Sequence, residues 1–100
     1  MAVSGLRAAS AGLALQADNV ANQPTAGFKA KRAELVAEAS GGVRVSGVST
    51  DPTSAGPGAS NVDPATEAVS GLGYAFMYQA NLKVLQTQDE LAKATLELKA

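Results

Sequence analysis

Residues 63–99 read DPATEAVSGLGYAFMYQANLKVLQTQDELAKATLELK, and this stretch decides the fold. Asp63 is placed to cap a helix, and Pro64 takes the first helical position, where its missing N–H costs nothing. Glu67 in the first turn suits the positive end of the helix dipole. From there Val69, Leu72, Phe76, Ala80, Val84, Thr87, Leu91, Thr95 and Leu98 recur close to the helical period, with no further proline. The spacing predicts one long helix over 63–99. A weaker stripe runs beside it through Tyr78, Leu82, Leu85, Ala92 and Leu96. The helix is therefore apolar over more of its circumference than one partner covers.

The linker 51–61 contains Pro52, Pro57, Gly56 and Gly58 and has no core of its own. Before it, Val43-Arg44-Val45-Ser46 alternates apolar and polar residues in the manner of a half-buried strand. Phe28 to Glu38, followed by Gly41-Gly42, reads as the first arm of a hairpin, giving a hairpin over 28–50. At the N-terminal end, Val3, Leu6, Ser10, Leu13, Ala17 and Val20 follow a 3,4 spacing that predicts a helix over 2–22 with one face turned to a partner helix. It ends before Pro24, and Thr25-Ala26-Gly27 forms a turn. The expected fold is mainly α: one domain over 1–100, with a coiled-coil-like antiparallel pair of long terminal helices and a small β-hairpin and irregular linker between them. The helices are unequal in length. The longer one keeps apolar surface that the shorter cannot shelter, and self-association or docking is expected to cover it.

Composition narrows the function. The 100 residues include no Cys and no His, which removes disulfides, thiolate nucleophiles, Cys/His zinc sites and imidazole-based triads. Lys and Arg total 8 against 9 acids, so no strong field draws the chain to nucleic acid or acidic lipid. No apolar run is long enough to cross a bilayer, and no secretory signal pattern opens the sequence. No catalytic, cofactor-binding or metal-ligating residue is expected. Lys29, Lys31 and Arg32 read as a solvated strand face. Asn19 and Asn22 read as local caps, Gly27 as a positive-φ turn residue and Phe28 as a cover for the helix end. Gln79 and Asn81 read equally as a solvated helix face or as rungs between subunits. The expected packing residues are Val3, Leu6, Leu13, Val20, Val69, Leu72, Phe76, Val84, Leu91 and Leu98.

Two segments resemble one family. Leu15-Gln16-Ala17-Asp18-Asn19-Val20-Ala21-Asn22, followed by Thr25-Ala26-Gly27-Phe28-Lys29, is similar to the N-terminal signature of flagellar basal-body rod and hook proteins. In that signature a helix ends in Asn-x-Ala-Asn and continues into Thr-Pro-Gly-Phe-Lys. Ser60-Asn61-Val62-Asp63 with Thr66-Glu67, then Tyr78-Gln79-Ala80-Asn81 and onward to Glu90, resembles the family's C-terminal helix. The motif residues are Asn19, Ala21, Asn22, Thr25, Gly27, Phe28, Asn61, Asp63, Glu67, Tyr78, Gln79 and Asn81. Ala26 stands where the family carries proline, and Phe76 where an arginine is common. The span between the helices is shorter than in most members.

The resemblance implies a non-enzymatic axial protein, a proximal rod or hook-type member of reduced size. Its partners would be copies of itself, other rod or hook-type axial proteins and, in transit, the flagellar export apparatus. There would be no nucleic acid, no membrane insertion and no cofactor. It implies a place in the periplasmic rod of the bacterial flagellum, reached from the cytoplasm without a cleaved signal peptide. A second expectation is a soluble helical adaptor or export-related protein with the same helices, which binds one partner instead of polymerising.

Overall fold

The computed structural model describes residues 1–99. Helix α1 spans Ala2–Ala21, strand β1 Lys31–Ala37, strand β2 Val43–Thr50 and helix α2 Pro64–Lys99. The fold is mainly helical with a two-stranded antiparallel hairpin, as the sequence predicts. It is drawn out to 69 × 25 × 14 Å because α2 is a single unbroken rod.

The helices run antiparallel. Gly5 lies against Asn81, Gly12 against Tyr74, Gln16 against Gly71 and Asn19 against Glu67. The buried residues of α1 are Ala2, Gly5, Ala8, Ala9, Gly12 and Asn19, so all but one are Ala or Gly. Each interior glycine costs about 1 kcal/mol of helix propensity relative to alanine. That cost is offset by close approach: a methyl at Gly12 would overlap the Tyr74 ring, and one at Gly5 would overlap the Asn81 amide.

This seam differs from the expected one. Val3, Ser10, Ala17 and Val20 are exposed, and Leu6 and Leu13 are half-buried. Bulky residues would hold the two axes apart, whereas the Gly/Ala face lets side chains of α2 rest directly on the backbone of α1. On α2 the seam is made by Glu67, Gly71, Tyr74 and Asn81, with the weaker stripe along its border. At about 100° per residue, Tyr78, Leu82 and Leu85 share a side with Glu67, Gly71, Tyr74 and Asn81. The stronger stripe points roughly the opposite way, with Val69, Leu72 and Phe76 71%, 74% and 73% exposed.

The hairpin folds back along α1. The register pairs Lys31 with Thr50 and Ala37 with Val43, and a bulge at Glu34/Leu35 leaves Ser46 without an opposite residue. Gly41 and Gly42 take φ of 95° and 91° at the tip, conformations that favour glycine. There Val43 N–H donates to Ser4 Oγ at 3.1 Å, and that hydroxyl donates to the Met1 carbonyl at 2.6 Å, pinning the tip to the first turn of α1. Phe28–Ala30 precedes β1 and joins the linker instead. Gly27 N–H donates to Ala59 O, Asn61 N–H to Phe28 O, and Asp51 N–H to Ala30 O.

Gly12→Leu is expected to destabilise the chain by about 1–3 kcal/mol, because the Tyr74 ring already fills the space. Gly73 is a helical residue with no neighbour near its missing Cβ, so Gly73→Ala is expected to add about 0.5–1 kcal/mol. Urea unfolding followed by circular dichroism compares the two.

Candidate functional site

Two features stand out: a buried polar junction where α1, β1 and α2 meet, and an apolar face that the chain leaves uncovered. The junction is built on Asn19 and Glu67, the largest fully buried side chains of the described residues, each 0% exposed. Asn19 sits on the last turn of α1, where its Oδ1 accepts Lys31 N–H at 2.9 Å and its Nδ2 donates to Lys31 O at 2.9 Å. The amide thus stands in for a paired strand residue, satisfying both backbone groups of the first residue of β1. The same Nδ2 lies 3.3 and 3.2 Å from the two carboxylate oxygens of Glu67.

Glu67 is reached from the other side by Arg32, whose Nη2 approaches Oε1 at 2.7 Å. Burying a carboxylate is costly unless it is paired and hydrogen-bonded, and here both conditions hold. Glu67 therefore does more than favour the helix dipole. Asn19 is not a local cap, since its partners lie on β1 and α2. Arg32 is not part of a solvated face; sequence reasoning missed it because a basic cluster gives no sign of which member turns inward.

The other motif residues surround this junction. Asn22 caps α1, with Nδ2 donating to Asp18 O at 2.9 Å and Oδ1 accepting the Thr25 hydroxyl at 3.1 Å. Ala21 is the exposed last residue of α1. Gly27 has φ of 75°, as a turn glycine should. Phe28 is half-buried, and its ring lies under Lys31 Nζ at 5.7 Å. Asn61 accepts Ala30 N–H at 2.6 Å and donates to Asp51 O at 3.0 Å and Thr53 O at 2.8 Å, tying the linker to the segment before β1. Asp63 caps α2 through Ala65 N–H at 3.2 Å and the Thr66 hydroxyl at 2.9 Å. Asp51, beside this staple, has its carboxyl held below the ordinary range by the Thr53 backbone N–H.

Further along α2, Tyr78 borders the seam, Asn81 packs against Gly5 and donates to Met77 O at 2.8 Å, and Gln79 is exposed. Val84 and Leu91 lie on the uncovered stripe, which ends at Leu98, 89% exposed. An open groove of about 400 Å³ lies between α1 and the hairpin tip, lined by Ser4, Arg7, Ala8, Glu38, Val43, Arg44 and Val45. Its only carboxylate, Glu38, is already paired with Arg44 at 2.9 Å. Among the described residues no group of three or more His, Cys, Asp or Glu is placed to hold a metal ion, and no helix is long and apolar enough to cross a membrane.

The fold is an extended antiparallel pair of helices with a buried polar junction at one end and an apolar stripe left exposed along the longer helix. Residues 58–98 match the family model for the C-terminal part of flagellar basal body rod FlgEFG proteins, which supports a flagellar rod family protein. The matched segment contains Asn61, Asp63, Glu67 and all of α2 up to Leu98; the motif at Leu15–Lys29 lies outside it. No individual curated protein matches the chain.

Glu67→Ala is expected to cost about 3 kcal/mol, because it strands Arg32 and one donor of Asn19. Lys31→Ala removes only an exposed 3.8 Å pair with Asp18, and a change within about 0.5 kcal/mol is expected. Denaturant titration of the two variants beside the parent checks the contrast.

Proposed function

We propose that this chain is a structural subunit of the bacterial flagellar rod and that it assembles by packing its helices against those of neighbouring subunits. The observation that carries the reading is the stripe Val69, Leu72, Phe76, Val84, Leu91 and Leu98, exposed along the whole of α2. An apolar face of this length on a single chain is costly in water and marks a contact surface. The match of residues 58–98 to the C-terminal model of rod proteins supports a setting among other rod proteins. Val3 and Val20, exposed on α1, and the half-buried Leu6 and Leu13 offer contacts for a second layer of neighbours.

The reading requires no catalysis. Its partners are copies of this chain and other rod or hook-type axial proteins, and its place is the periplasmic rod, reached through the flagellar export apparatus. Contacts of one copy's face with a different face of the next generate open helical assemblies, which is the geometry a rod needs.

Leu91→Asp tests this directly, because Leu91 lies on the part of α2 that α1 does not cover. The variant should keep the helical content of the single chain yet fail to enter basal bodies, since assembly would bury an unpaired charge at a cost of several kcal/mol. Cells carrying it should not swim. Normal incorporation and motility would remove the packing claim, and capture of the parent chain in a stable one-to-one soluble complex would favour an adaptor.

A further inference from the structure

We infer that the register of α1 on α2, and with it the length of α2 left uncovered, is set by the polar junction and not by the seam. The inference concerns the single chain and stands whether or not the chain enters a rod.

The seam repeats with the heptad. On α1 its two holes, Gly5 and Gly12, lie one heptad apart. On α2 the groups that fill them, Asn81 and Tyr74, are also one heptad apart, and the next step along the same line is Gln88. Sliding α1 by one heptad towards the C-terminal end of α2 places Asn81 over Gly12 and Gln88 over Gly5. Each hole is again filled by a planar side chain. In that register α1 covers the same length of α2 and meets Leu82, Leu85 and Gln88 on the seam side, so burial of surface does not select the observed position. A run of Gly and Ala on one helix has no large knob to resist the slide.

The junction has no such repeat. Asn19 meets Glu67 in the observed register only; one heptad on, it faces Tyr74, and Glu67 and Arg32 lose the helix that closes over them. Asn61 adds a tie at the same end, because only Val62 and Asp63 separate its bonds to Ala30 and Phe28 from the start of α2. The contacts of Ser4 with the hairpin tip join α1 to β2 and would travel with α1. Discrimination therefore lies wholly at the junction end. A single buried polar contact that fixes helix register at some cost in stability is a known use of such groups.

Spin labels on cysteines at Ser10 and Ala94 read the register by double electron–electron resonance, and the chain has no cysteine of its own to interfere. The parent register separates these positions by about 27 Å along the axis, and the slipped one by about 16 Å. The parent should show one narrow distance. The double variant Asn61→Ala, Glu67→Leu should retain helical circular dichroism and show a second, shorter population displaced by about 10 Å. Tyr74→Leu, which alters the seam alone, should keep the single parental distance. An unchanged single distance in the double variant, a shifted one in Tyr74→Leu, or loss of helix in the double variant would each overturn the inference.

Discussion

Arg32 of β1 and Asn19 of α1 close over the carboxylate of Glu67 in the first turn of α2, and that contact joins all three elements at one end of the molecule. The rest of the interior consists of small residues: Ala2, Ala8, Ala9, Ala30 and Val62 are the buried apolar side chains. Such residues bury little area and define no position along a helix. The junction supplies what they lack. It joins three elements distant in sequence and satisfies the backbone of Lys31, from which the hairpin is hung.

From that fixed end the molecule loses cover progressively. The hairpin lies along α1 and is pinned at Ser4, α1 lies along α2 as far as the contact of Gly5 with Asn81, and beyond it α2 is exposed from Leu82 to Leu98. The long helix thus has a sheltered half and a bare half, with an apolar line on its outer side throughout. Within the chain, small residues are buried and most of the large apolar ones are exposed.

Much of this was legible in the residues. Asp63-Pro64 announced the start of α2, the absence of any later proline allowed its length, and Gly41-Gly42 marked the hairpin tip. The faces were harder to read. Periodicity locates apolar stripes but does not say which stripe meets the chain's own partner, and here close approach of Gly5 and Gly12 outweighed the larger residues at Val3 and Val20. The recurrence of glycine one heptad apart on α1, matched by Tyr74 and Asn81 on α2, was the available signal. Long-range polar contacts leave less trace: Asn22 proved to be the local cap its type suggests, whereas Asn19, three residues earlier, reaches across to β1 and α2. Nothing in Lys29, Lys31 and Arg32 distinguishes the one cation that a buried carboxylate needs.

The long helix α2 is sheltered by its own chain at one end only. Residue-resolved hydrogen exchange on the unassembled chain measures this most directly, because amide protection follows local opening. Protection should be highest around Glu67 to Met77 and fall steeply past Asn81, with amides near Leu91 and Leu96 exchanging close to the rate of an isolated helix. Uniform protection from Glu67 to Leu98 in a dilute monomer would contradict it.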